Sequence, residues 1–178
     1  LGRAYAKAPK PQRSVVFLAV TAEEKGLLGS EYYASNPVYP LDQTAGVINM
    51  DILNPNGVTR DFSIWGIARL DLLDRLKARA AKGNVSYTPD PKPEAGYFFR
   101  SDHFSFAKRG VPAISFSSGQ DFVQGGVKAG KERAEAYTAN HYHQPSDQWK
   151  AEWSFVGMTR DLELLYGLGR DLADSRDW

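Results

Sequence analysis

The chain has 178 residues, 42% of them apolar and 24% charged, which suits one domain with a sizeable core and is too little for two. A formal net charge of +1 disfavours nucleic acid as a partner, and no apolar run is long enough to span a bilayer, so no membrane partner is expected. The absence of cysteine excludes a disulfide framework and thiolate metal sites without fixing the compartment.

In chain order, the N-terminus shows no secretory signal, and Leu1 to Ala8 reads instead as the tail of an amphipathic helix stopped by Pro9 and Pro11. A chain that opens inside a helix is expected to lack the N-terminal portion of its domain. Val15 to Val20 is a short apolar run rich in β-branched and aromatic residues, which predicts a strand buried on both faces. It leads into Glu23 and Glu24, after which Gly26 to Ser35 is compatible with a helix ended by Asn36-Pro37. Thr44 to Met50 predicts a second strand with Asp51 at its end, 54–57 is turn chemistry, and Phe62 to Trp65 is a third strand.

Leu70, Leu73, Leu76 and Ala80 mark one face of a helix from about Ile67 to Lys82. Val85 to Gly96 is broken by proline and predicts a surface wrap, and Ser101 or Asp102 is placed to cap a short helix through Lys108. Pro112 to Phe116 is a further buried strand. Gly119 to Asn140 is polar and lacks clear periodicity, which predicts a long loop. From Ser154 to about Asp174, Phe155, Met158, Leu162, Leu165 and Leu172 predict a closing amphipathic helix. Strands alternating with helices give an α/β layered domain.

Three polar sets fall at strand ends or in loops: Glu23-Glu24, Asp51, and His141-Tyr142-His143. Each has a plain structural reading. Adjacent glutamates favour a helix N-terminus, an aspartate after a strand is a turn residue, and loop histidines are solvated. Jointly they allow more. One carboxylate can ligate a metal while its neighbour takes a proton from an activated water, and carboxylate with imidazole suits zinc, manganese or cobalt. In open α/β sheets, ligands sit just beyond the carboxyl ends of strands.

The stretches from Thr21 to Ser30, from Ile48 to Asp51, from Arg100 to His103 through Gly110 to Ala113, and from Tyr142 to Asp147 closely resemble the co-catalytic di-zinc aminopeptidases, the secreted bacterial leucine-type exopeptidases. The resemblance runs in order along the whole chain. It implies a three-layer α/β/α domain with a mixed, mostly parallel sheet, residues 1–178 forming the C-terminal part of one zinc-peptidase catalytic domain. It also implies a role for each matched residue: Glu23 the general acid/base, Glu24 and Asp51 ligands of one zinc, His143 the ligand of the other. Tyr142 matches a residue that hydrogen-bonds the tetrahedral oxyanion. His141 competes with His143 on a period-two argument, and the family pattern favours His143. Asp102 and His103 match a family motif too, with helix capping as the equal alternative.

The family also needs a His-x-Asp histidine and a bridging aspartate. Neither is present: the three histidines are His103, His141 and His143, and none has Asp two residues on. The expectation is that two zinc ions serve the complete enzyme and that this chain alone binds one or none and cleaves poorly. Peptides are the expected substrates, the location is secreted or periplasmic, and an open sheet edge awaits the N-terminal segment or another chain. Two competing readings are a non-catalytic peptidase-like ectodomain and a glutaminyl-cyclase-like enzyme.

Overall fold

The computed structural model describes residues 1–67 and 70–176. One sheet has the order β1-β4-β2-β3, where β1 is Val47–Met50, β2 Asp61–Ile64, β3 Ser86–Tyr87 and β4 Ala113–Ser118. β1 pairs in parallel with β4, Val47 opposite Ala113 and Met50 opposite Phe116. β2 runs antiparallel to β4 and parallel to β3, so the sheet is mixed and mostly parallel. Around it lie α1 (Gly2–Lys7), α2 (Leu28–Ser35), α3 (Asp71–Lys82), α4 (Phe104–Ala107), α5 (Gly126–Asn140) and α6 (Val156–Asp174).

Alternation along β4 sorts the helices into layers. Ile114 and Phe116 point to one face and pack with Leu72, Leu76 and Ala80 of α3 and Leu165 and Leu168 of α6. Ala113 points to the other, against Ala34 of α2 and Phe106 of α4. The result is an α/β/α sandwich. α3 forms where acids (Asp71, Asp74) open the first turn, Arg79 and Lys82 close the last, and its leucines share a face. Arg79 then grips Asp171 of α6 through two hydrogen bonds of 2.8 and 2.6 Å. No described helix is long and apolar enough to cross a membrane.

Several sequence expectations need correction. Val15 to Val20 has no regular secondary structure and joins no sheet, and its Val16, Phe17 and Leu18 are 49, 54 and 43% exposed. A strand is a pairing, and apolar β-branched residues without a neighbouring ladder do not make one. Gly119 to Asn140 is not a loop throughout, because α5 occupies its last fifteen residues. That helix buries only Gly130, so it has no apolar stripe, and good helix formers such as Lys131, Glu132, Ala134 and Ala136 carry it instead. Neither Ser101 nor Asp102 caps α4, whose N-cap is the buried His103. The helix expected from about Ile67 begins at Asp71, and positions 68 and 69 lie outside the described residues.

Glu31 on α2 meets Lys108 at 2.6 Å and Arg109 at 2.5 Å, clamping α2 to the end of α4. The Arg109 hydrogen bond, then that of Lys108, pull its carboxyl from 4.5 to about 2. A depressed carboxylate stabilises the fold above its ordinary pKa and loses that contribution as pH falls through the folded value. We expect Glu31→Gln to lower Tm at pH 7, with the gap to wild type closing as pH drops from 4.5 toward 2. A gap indifferent to pH would show that the clamp is not ionic.

Candidate functional site

Asp51 projects from the carboxyl end of β1, above a small polar network. Asn49 Nδ2 donates to Ser101 Oγ at 2.8 Å and to Ser115 Oγ at 3.1 Å, and both serines are buried. The network ties the end of β1 to β4 and to the 101–103 turn. Burial pushes the Asp51 carboxyl up, the carboxylates of Asp102 and Glu24 push it further, and the Ser101 side chain works the other way.

Glu23 and Glu24 are presented by a tight turn. Ala22 (φ 57°) and Leu27 (φ 60°) are both left-handed and bracket a single 3-10 turn over Glu23–Lys25, from which α2 follows. Such a conformation costs a residue with a side chain about 1–2 kcal/mol. Gly29 allows α2 to press against the backbone of Thr21: its amide donates to Thr21 O at 2.9 Å, and a Cβ there would lie 2.5 Å from Thr21 N and O. His143 (φ 57°) is left-handed as well, and among the described residues the one other non-glycine with positive φ is Asn84. Backbone strain therefore gathers where the acids and the imidazole stand.

The third contributor is the turn after α5. Tyr137 O accepts the amides of His141 and Tyr142 at 2.9 and 3.0 Å, while Tyr137 Oη donates to Asp147 at 2.7 Å. Burial first, then Asp147, pushes that phenol to about 12. His141 Nδ1 lies 3.3 Å from Ser146 Oγ, within the turn. His143 points out of it: its Nε2 is 2.8 Å from Glu24 Oε1, and its ring stacks on Tyr142 with centroids 3.9 Å apart. Because 141–143 is a turn and not a strand, the period-two argument that set His141 against His143 does not apply.

Glu23, Glu24, Asp51 and Tyr142 thus line one cleft of about 1140 Å³, with His143 bonded to Glu24 at its edge. Trp65, Tyr97 and Phe99 supply apolar walls and Arg100 a cation. Glu23 is raised first by burial and then by Glu24, Asp51 and Asp102, with His143 pulling it down. Tyr142 is raised above 10.0, chiefly by burial, so its phenol holds its proton at neutral pH with or without that shift. Asp102 stands among these acids, and His103 is turned away into the interior.

Asn49, Ser101 and Tyr137 position the site without the sequence singling them out for it: Asn49 and Ser101 lie inside the stretches that resemble the family, Ser101 reads as a helix cap, and Tyr137 lies in no matched stretch.

A catalytic zinc takes three protein ligands and a water. Among the described residues no three histidine or acidic groups stand close enough to hold a metal ion. Glu24 and His143 bond each other directly. The donors have the right chemistry, but those present do not make a complete zinc site.

Asp51 and Glu23 bind protons more tightly than in the unfolded chain, so their ionised forms weaken the fold above the raised pKa and cease to do so once protonated. We expect Asp51→Asn to raise Tm at pH 7 in EDTA, the gain fading as pH falls through the ordinary carboxylate range. A loss of stability at pH 7 would contradict the crowding.

The sequence profile described as Peptidase family M28 matches residues 1–166. Among solved structures, the LapA aminopeptidase of Legionella pneumophila aligns with a TM-score of 0.60 at 17% identity, over 89% of this chain and 38% of its own. The aminopeptidase from Aneurinibacillus sp. strain AM-1 is 27% identical over 56% of this chain and 23% of its own, with a TM-score of 0.44. BSAP, a zinc aminopeptidase from Bacillus subtilis, gives 16% identity, 88% and 34% coverage, and a TM-score of 0.43. The chain spans well under half the length of each of these structures. No curated protein matches it.

Proposed function

The chain belongs to peptidase family M28, and from that premise we propose that residues 1–178 are part of the single catalytic domain of an aminopeptidase that removes N-terminal residues from peptides. The observation that carries this reading is convergence: residues more than a hundred positions apart, Glu24 and His143, meet at 2.8 Å beside Glu23 and Asp51.

Glu23 is the general base and acid. Burial first, and then the neighbouring acids, raise its hold on a proton, which suits a group that takes one from the attacking water and returns it to the departing amine. Tyr142 keeps its proton and donates to the oxygen that gains charge as the scissile carbonyl becomes tetrahedral. Glu24, Asp51 and His143 are this chain's share of a zinc donor set, chosen for their carboxylate and imidazole chemistry. The share is incomplete, so the isolated chain is proposed to bind zinc weakly and to turn over little. Export from the cytoplasm, to the periplasm or beyond, is part of the same proposal.

Zinc titrated into the isolated chain by calorimetry is expected to bind weakly, and Glu24→Gln or His143→Ala to weaken that binding further. Binding untouched by both substitutions would reject the donor assignment. With zinc and leucyl 4-nitroanilide, the chain is expected to show trace hydrolysis at most, and any turnover to fall about 10²–10⁴-fold in Glu23→Gln. Hydrolysis at the rate of an ordinary aminopeptidase, or hydrolysis indifferent to Glu23, would overturn the reading.

A further inference from the structure

We propose that Arg133 is the far stop of the cleft that holds Glu23. It takes the free C-terminal carboxylate of a peptide of about three or four residues whose N-terminal residue lies among the acids, so the substrates are short peptides with a free carboxyl end. The proposal rests on the peptidase reading for the direction in which the peptide lies. The juxtaposition behind it does not: acids at one end of a cleft of about 1140 Å³, and at the other a guanidinium paired with no acid.

Two segments run the length of the cleft. The floor leaves the end of β1 at Asp51 and continues through Leu53 and Pro55 to Asn56. One wall is a face of α5, where Gly130, Arg133, Ala134 and Tyr137 recur at helical spacing ahead of the turn that carries Tyr142. Floor and wall are tied together at the far end, Arg133 Nη1 donating to Asn56 O at 3.3 Å. Beside that contact Ser154 N donates to Pro55 O at 2.8 Å, which closes the end with the segment bearing Lys150 and Trp153. The helix is seated closely there, since a Cβ on Gly130 would fall 2.0 Å from Gln120 O. From Arg133 to its C-cap His141, α5 rises about 12 Å. That is the span of about three or four residues of extended peptide.

The charges are sorted along that length. Glu23, Glu24 and Asp51 gather at the near end, where an N-terminal ammonium would relieve their repulsion. Arg100 belongs to the same end, close enough to Tyr142 to act on its phenol. Arg133 has the far end, where its contacts are Asn56 O and an aromatic ring and not a carboxylate. Arginines elsewhere on the chain differ: Arg60, Arg79, Arg109 and Arg170 each hold a carboxylate at 2.5 to 3.0 Å. Arg133 lies over the buried Phe122, its Cζ 4.4 Å from the ring centroid. Stacked in this way, a guanidinium is steadied by its face and keeps the N–H groups of its edge for a planar anion. A carboxylate accepts two of them side by side. The terminal carboxylate is the anion that every unmodified peptide of this length presents at that distance from its N-terminus.

The test is calorimetric binding to the whole chain in EDTA, so that zinc and turnover play no part. The ligands are alanine peptides with a leading leucine, from dipeptide to hexapeptide, each as the free acid, the C-terminal amide and the N-acetylated acid. We expect the tripeptide and tetrapeptide acids to bind tightest and their amides about five- to tenfold more weakly. Arg133→Gln is expected to erase the difference between acid and amide, and Arg133→Lys to keep part of it. Acid and amide binding alike, a preference that survives in Arg133→Gln, an affinity flat with length, or no saturable binding would overturn the proposal. Recovery of the lost affinity by a tetrapeptide amide ending in glutamate would overturn the terminal carboxylate as the ligand. N-acetylation reports on the peptidase reading separately. Free and acetylated peptides binding alike would reject that reading's placement of the N-terminus, while an acid preference lost in Arg133→Gln would still establish the carboxylate site.

Discussion

β4 is the constraint on which the remainder depends. It is paired along both edges, in parallel with β1 and antiparallel with β2, and its side chains serve both helical layers. Phe116 lies in the core against Phe62, the two rings nearly parallel at 5.9 Å. Ser115, between core residues, is turned to Asn49 and Ser101. One strand thus fixes the packing on one face and the floor of the site on the other. Through Asn49 it sets where β1 ends, and so where Asp51 stands.

The site built on that floor is costly by itself. Like charges converge in Glu23, Glu24, Asp51 and Asp102, and left-handed Ala22, Leu27 and His143 aim them. Repulsion and strain of this kind persist only where surrounding structure over-determines the geometry, and here Gly29, Tyr137 and the Asn49–Ser101–Ser115 network do so. Binding a cation or holding a proton would relieve the repulsion, which connects the energetics of the cluster to hydrolytic chemistry.

Much of this was legible in the residues. The strands at β1, β2 and β4 follow from short apolar runs, and the helices α3 and α6 from periodicity, because each of these helices buries one face against a neighbour. Glu23, Glu24 and Asp51 were marked by their place at the ends of apolar runs. Val15 to Val20 misled for a physical reason: composition reports the capacity to pair, and pairing belongs to two segments. α5 was missed because periodicity detects buried faces, and this helix buries one glycine. The choice between His141 and His143 was invisible to spacing, since a left-handed residue in a turn decides which ring reaches Glu24.

The most direct measurement exploits the absence of cysteine from the chain. In the double variant Glu24→Cys with His143→Cys, a short bismaleimide is expected to join the two thiols within one molecule under native conditions. The link should disappear when the chain is unfolded in urea before the reagent is added. Two thiols that each react singly in the native chain, with no internal link, would contradict the convergence on which the site is built.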